Sequence, residues 1–536
     1  MIKSSLLLVI TIISCDIFLC SSGKVAYLKD YQVPKFTSYS KALFNSSNQH
    51  SNVYQFELQV EAYNRVFKLV LHSQSLLFHS DLVLEFDPST IASFDRSHFV
   101  YGSIQSHPET EAFGYIYNSG QFQGVFTLDR VKYYVEYAKF FPSLASNGNQ
   151  FIIYRNIDIS SRFRASRDVQ SSDRWLHDPL FSSFASYNHH LNTRQARQQN
   201  HNFNNINNTC LARIDIDRHV LQRYGDPFHA LIGISVLLQG VNQIFRKTDF
   251  NGDGQADSIG IAIQSISAKT NFSRLDPIAN PTYYFNNWTA YYNYSQYCMG
   301  FLFIDHHFKQ QVTGIANSGY KIDEGICTKY HYEDNGVLSS SNVGLLSVSR
   351  LSKTLIYPLR EMIAAHEIGH IFGSKHDNFT KLCSPTGEKG FYLMHAAVSS
   401  GEKMNNYLFS PCSRQAIYHS IVTKGWNKQR GCLINQHYPI CGNGIIDEGE
   451  ECDCGYQSNC NDSCCTPAFH SFMDMSGNAP CRRIPNCNQS NQFAIIYVVA
   501  GLIGTLIISV FFTVVWKQCI RKSKTTNNQQ LMDLIS

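Results

Sequence analysis

His366-Glu367-Ile368-Gly369-His370-Ile371-Phe372-Gly373-Ser374-Lys375-His376-Asp377 is the stretch on which the reading of the whole chain turns. His366 and His370 stand four apart, so on a helix they lie one above the other on the same face. At about 100° per residue, Ala365, Ile368 and Phe372 fall on the opposite face, where they can pack into a core. Gly373 is placed to end the helix, because a glycine accepts the left-handed backbone that lets the chain swing back. That swing can bring His376 to the same point in space as the first two imidazoles.

Two histidines at this spacing around a glutamate, with a glycine and a third histidine further on, form the extended zinc motif of a hydrolytic helix and turn. Three neutral imidazoles leave one tetrahedral position open, as in a catalytic rather than a structural zinc site. Glu367, next to the first ligand, is placed to take a proton from an attacking water and pass it to a leaving amine. The helix is predicted to begin at Pro358, a favoured first-turn residue. Downstream, Met394 lies in a turn where such sites carry an apolar floor beneath the metal.

Outward from this stretch, residues 205–435 alternate strands and helices. Cys210 to Asp217 reads as a strand, Ala230–Phe245 carries helical spacing of apolar residues, and Ile259–Ile266 and Met299–Ile304 read as strands. Gly314–Ala316 suits an edge strand near the cleft, and Val343–Val348 another strand. The fold class expected here is a mixed α/β domain. Ahead of it, residues 23–197 are β-rich: Tyr54 to Ala62 alternates in twos, and Phe67–His72 and Leu82–Phe86 are further short apolar runs. A cysteine-free β-rich domain in this position suits a propeptide. Arg164–Arg167 and Arg194–Arg197 are candidate sites for its release by a proprotein convertase, and Arg197 is favoured because polar sequence surrounds it.

The 536 residues carry a net charge of only +4 and no dense basic stripe, which argues against nucleic acid as a partner. The 17 cysteines fall into blocks: Cys15 and Cys20, six from Cys210 to Cys432, eight from Cys441 to Cys487, and Cys519. Even counts in the two middle blocks fit a disulfide-bonded secretory protein. Residues 1–22 read as a signal peptide. Residues 493–516 are apolar, uncharged and long enough to cross a bilayer, and Lys517, Arg521, Lys522 and Lys524 follow, which places a tail of residues 517–536 in the cytosol. Sequons at Asn45, Asn207, Asn271, Asn287, Asn293, Asn378, Asn461 and Asn488 permit glycans.

Taken together, the zinc motif with Asp377 behind its third histidine and the run Cys441–Gly455 resemble the ADAM family, the membrane-anchored disintegrin metalloproteases within the metzincins. Phe372, Gly325–Cys327 and Thr248–Phe250 resemble its Kuzbanian (alpha-secretase) branch. The resemblance implies a metzincin protease domain with zinc on His366, His370 and His376, Glu367 as general acid and base, and Met394 as the floor. It implies pairs Cys210–Cys298, Cys327–Cys432 and Cys383–Cys412, where sequence alone leaves fifteen pairings open. It further implies a truncated disintegrin-like domain at 438–490, with Ca2+ on Asp447, Glu448, Glu450, Glu451 and Asp453. The activity it implies is cleavage of membrane-protein ectodomains, Notch-type receptors among them, by a type I membrane protein of the cell surface.

Three features depart from that pattern. The N-terminal domain has no cysteine to hold zinc, Ile371 stands where the branch carries Asn, and no cysteine-rich domain separates the short disintegrin-like stretch from the apolar segment. The alternative reading is a membrane adhesion or decoy protein with a latent protease fold. An altered Glu367 or a missing histidine would mark it, and both are in place. Asp249–Asp257 resembles the first part of a calcium-binding EF-hand loop. Its twelfth position is Gly260, so an acidic helix-to-strand loop is expected.

Overall fold

A computed structural model of the chain describes residues 25–160, 208–487 and 504–521, apart from the internal stretches 45–52, 74–75, 145–147, 271–279, 437–440 and 469–479 and a few shorter ones. The expected signal peptide and Arg197 lie outside the described residues.

The N-terminal region is β-rich. Strands β1 (Lys35–Phe44), β2 (Val53–Ala62) and β3 (Arg65–Ser73) form an antiparallel meander; β4 (Phe78–Glu85) leaves it. The meander resumes with β5 (Phe99–Ile104), β6 (His107–Ile116), β7 (Phe122–Leu128), β8 (Val131–Tyr137) and β9 (Phe151–Arg155), giving eight strands in the order β1-β2-β3-β5-β6-β7-β8-β9. In β2 the alternation works as strand geometry requires: Phe56, Leu58, Val60 and Ala62 are buried while Glu57 faces water. Strand β7 is buried at every position, because both faces of this part of the sheet are covered.

What covers the second face is the α/β domain. Its sheet contains β10 (Thr209–Asp217), β11 (Gly260–Thr270), β12 (Met299–Ile304), β13 (Gly314–Ala316) and, after a two-residue ladder of β14 (His331–Tyr332) and β15 (Leu338–Ser339), β16 (Val343–Ser347). The order is β13-β16-β12-β10-β11-β4, parallel except for β13. Helices α1 (Arg218–Tyr224), α2 (Pro227–Arg246), α3 (Pro281–Tyr291), α4 (Tyr357–Ile371) and α5 (Pro411–Ser420) complete the domain. Asp226 caps α2 by accepting from His229 N at 2.9 Å, and Pro227 opens its first turn.

One strand passes from the N-terminal region into the second sheet. The apolar run at Leu82–Phe86 does form a strand, yet β4 belongs to the second sheet. It pairs in parallel with β11, Phe78 opposite Ile263 and Glu85 opposite Ser267. Glu85 fixes the pairing through Arg213 of β10 at 3.0 Å and Ser267 Oγ at 3.1 Å. The chain therefore closes the α/β sheet with a strand made far upstream, and alternation of side chains carries no information about which sheet a strand joins.

Residues 441–487 form a small module held by Cys441–Cys481, Cys452–Cys465, Cys454–Cys460 and Cys464–Cys487. It rests on the loop after α2: Ala256 N donates to Gly442 O at 2.7 Å and Tyr456 N to Gly254 O at 3.1 Å. Within the expected span 493–516, helix is described from Gly504, running to Gln518. Among the described residues, the helix that is long and apolar enough to cross a membrane is α2, and it is a core helix.

Candidate metal centre

Helix α4 supplies the first two imidazoles and the turn behind it the third. His366 and His370 stack one turn apart with ring centroids 4.6 Å from each other. Gly373 takes φ +112°, and the chain returns so that the His376 ring lies 5.3 Å from that of His366 and 4.9 Å from that of His370. A ligand nitrogen of each lies within 4.8 Å of the other two.

The tautomers follow from the outer partners. His366 Nδ1 faces Leu393 O at 2.7 Å and His370 Nδ1 faces Ser374 O at 2.7 Å. A carbonyl only accepts, so both Nδ1 atoms carry the proton and both Nε2 lone pairs point inward. Those two Nε2 atoms stand 3.0 Å apart. Two lone pairs facing at that distance repel unless a cation lies between them. Burial, reinforced by the other two imidazoles, holds His370 well below the usual imidazole range, so the neutral ligand form is favoured. Three neutral nitrogens fit zinc, which takes imidazole readily and tolerates a three-ligand site with one open position. The carbonyl partners behind the rings are the orientation such ligands need.

Glu367 is buried against the edge strand β13. A Cβ built on Gly314 would lie 2.2 Å from Glu367 Oε1, so the carboxylate occupies the space that any other residue at 314 would fill. The glutamate is thereby held against β13, one residue on from the first imidazole.

Met394 is fully buried beneath α4, its sulfur against Gly369. Asp377 ties this turn down: its N–H donates to Met394 O at 2.8 Å, and its carboxylate accepts from Ser410 Oγ and from Ser413 Oγ, the latter at 2.6 Å. Burial pushes the Asp377 carboxyl above the usual carboxylate range. The backbone of Leu393 and Met394 is thus bonded to His366 on one side and to Asp377 on the other.

Ile371 is completely buried and packs over Gly344 of β16. Its carbonyl accepts from Ile326 N at 3.0 Å and that of His370 from Gly319 N at 2.8 Å, so the loop 319–326 closes the C-terminal end of α4. Lys424 holds that loop, its ammonium donating to the carbonyls of Gly319, Lys321 and Glu324 at 2.5 Å each.

The N-terminal end of α4 is closed in the same indirect way. Ile356, at the cap position, offers no side-chain acceptor. Glu136 of β8 provides it, accepting from Tyr357 N at 2.8 Å and pairing with the buried Arg360 one turn on. Neither Glu136 nor Lys424 carries a sequence signal, since each acts across 100 residues of chain or more.

The α/β domain contains the disulfides Cys210–Cys298, Cys327–Cys432 and Cys383–Cys412. Two further clusters of potential ligands, around Cys298 and Cys441, contain disulfide-bonded cysteines that are not available to a metal. The acidic loop after α2 spends its carboxylates on its own backbone: Asp249 accepts from Gly252 N and Gly254 N, and Asp257 from Phe250 N and Asn251 N. In the small module Asp453 accepts from Gly442 N and Asn443 N. Glu451 turns away to Arg482 and Arg483 N, and Glu448 is outside the described residues.

A mixed sheet, a histidine helix ended by a glycine turn, and a methionine beneath it are the arrangement that zinc metalloproteases of the metzincin class use. Residues 233–424 match the reprolysin-like family of M12B metallo-peptidases. The chain is similar to the disintegrin and metalloproteinase domain-containing protein 10 of Homo sapiens, 27% identical over 437 residues, covering 77% of this chain and 57% of that protein. It is also similar to the Caenorhabditis elegans homolog of that protein, 26% identical over 579 residues, covering 92% of this chain and 61% of the relative. These similarities agree with the resemblance to the ADAM family and its Kuzbanian-type branch. The chain spans somewhat more than half the length of these relatives.

Proposed function

We propose that the chain is a cell-surface zinc endopeptidase that cleaves membrane-protein ectodomains, with receptors of the Notch type as a candidate substrate class. The observation that carries this reading is the pair of inward Nε2 lone pairs on His366 and His370, 3.0 Å apart, with Glu367 next in sequence to the first and held against β13. His366, His370 and His376 would hold the metal. Bound there, zinc supplies a Lewis acid that polarises a peptide carbonyl and lowers the pKa of water. Glu367 takes the proton of the attacking water and delivers it to the leaving nitrogen. Strand β13, which lies at the end of the sheet, offers its backbone to an extended substrate. Met394 and Asp377 keep the third side of the site rigid.

On this reading residues 23–197 are a propeptide cut by a proprotein convertase at Arg197, 205–435 the protease and 438–490 a short disintegrin-like domain. Residues 1–22 direct secretion, 493–516 span the bilayer and 517–536 face the cytosol. Asp447, Glu450 and Asp453 are the acidic groups on which Ca2+ would bind the disintegrin-like part. The test combines a peptide-library assay on the purified full chain in detergent with zinc analysis. Bound zinc and cleavage that Glu367→Ala abolishes are expected. Equal behaviour of Glu367→Ala and the parent chain would sink the proposal.

A further inference from the structure

We propose that a cavity between the N-terminal sheet and the α/β domain binds a small zwitterion with an apolar body, the chemistry of an apolar dipeptide. Helix α2 packs against β6, β7 and β8 on one side and α4 on the other. Beside it, Phe113 and Val125 of the N-terminal sheet line a space of about 360 Å³ together with Ile244 of α2 and Phe409. That volume falls in the range of small-molecule sites, and so do its largely apolar walls.

Glu361 of α4 distinguishes this space from a packing gap. It lines the cavity and is only 2% exposed. Gly240 of α2 makes room for it, since a Cβ there would overlap Glu361 Oε1. That oxygen faces Tyr357 Oη at 3.5 Å, but the hydroxyl has one proton and lies nearer Val236 O, at 3.1 Å. Oε2 has no hydrogen-bond partner among the described residues. A buried carboxylate in that state carries the cost of its desolvation uncompensated. Burial, opposed by Lys132, accordingly pushes its carboxyl above the usual range. An ammonium group from a ligand supplies both the missing donor and the missing charge.

The open side of the cavity has the opposite sign. Lys389, which is exposed, and Arg414, which is half-buried, line it there. Arg414 stands 3.8 Å from Asp249, whose carboxylate already accepts from the Gly252 and Gly254 amides. Arg414 Nε has no hydrogen-bond partner among the described residues. A ligand carboxylate at this end completes the guanidinium. An enclosed acid, a basic mouth and apolar walls between them thus select a molecule with an ammonium at one end, a carboxylate at the other and apolar side chains.

The test titrates the dipeptide leucyl-phenylalanine calorimetrically into the uncut full chain in detergent, carrying Glu367→Ala so that the probe is not hydrolysed. Binding is expected with a Kd on the order of 10–100 μM, the range open to a ligand of about twenty heavy atoms. Acetylating the amino group of the probe, or Glu361→Gln in the chain, should each weaken binding about tenfold or more. Amidating its carboxylate, or Arg414→Gln, should act in the same direction. The capped probes require no further change in the chain, so they decide the matter even where Glu361→Gln does not fold. Absence of saturable binding up to about 5 mM would overturn the proposal. So would an acetylated probe that binds as tightly as the free dipeptide, which would mark the metal centre as its site. The readout is independent of peptidase activity, so it stands or falls separately from the catalytic reading.

Discussion

Gly369 and Met394 leave no room between them: a Cβ on Gly369 would come within 2.6 Å of the Met394 sulfur. The glycine lies on the helix between the two ligand histidines, so any added bulk there pushes the methionine turn away from α4. That turn also carries Leu393 O, the partner of His366 Nδ1.

Gly369→Ala is expected to destabilise the α/β domain by about 1–3 kcal/mol, the usual range for overpacking a filled core. Met394→Ala in the same chain should recover part of the loss, because it removes the clashing sulfur. Thermal denaturation of the two variants checks this, and an unshifted midpoint for Gly369→Ala would refute the close packing.

Gly314 stands in a comparable relation to Glu367, but the consequence is chemical. A methyl group at 314 overlaps the carboxylate and must displace it. A displacement of about 1 Å in a reacting group can lower a rate about 100-fold. Gly314→Ala is therefore expected to lower kcat by about that factor while zinc content and KM stay near those of the parent. Metal analysis beside steady-state kinetics decides it; a matching loss of zinc would point to misfolding instead.

Arg360 is buried in its pair with Glu136, and the two belong to different domains. Deleting one partner of a buried pair costs about 3–5 kcal/mol, largely because the other charge is left uncompensated. Arg360→Ala should lower the thermal midpoint of the whole chain, whereas the surface variant Arg65→Ala, which breaks the exposed pair with Asp129, should leave it within the error of the measurement.

The acidic loop after α2 predicts a pH effect. Burial, with the nearby Asp253 and Asp249 carboxylates, pushes the Asp257 carboxyl up to about 8. An acid whose folded-state pKa lies above its unfolded value of about 3.9 keeps its proton in the folded chain after the unfolded chain has lost it. Its contribution favours the fold at low pH and is lost between about pH 4 and pH 8. The gain in thermal midpoint from Asp257→Asn should accordingly grow from pH 4 to pH 8. A difference that stays constant across that range would exclude this titration.

The histidine stretch was legible in the sequence because its geometry is local: helix spacing and one glycine bring the three rings together. Strands such as Met299–Ile304 and Gly314–Ala316 were legible for the same reason, since alternation and short apolar runs are written in consecutive residues. What supports the histidine helix was not. Its first turn is closed by Glu136 and its last by the Gly319 and Ile326 amides under Lys424, all through contacts between segments distant in the chain. Strand β4 illustrates the same limit: its residues say strand, and only the assembled sheet says which one. Ile371, which departs from the branch pattern, is explained by its fully buried packing on β16.

The placement of β4 also bears on how the chain is made. Phe78 leaves the ribosome well before Ile263, the residue it will face. At about 5–20 residues per second, the interval is on the order of 10–40 s. For that time the first domain carries a strand whose partner does not yet exist, and β6 to β8 wait uncovered for α2. Translation speed through residues 161–260, and chaperones able to shield a lone strand, should therefore govern the yield of this protein more than the stability of either domain.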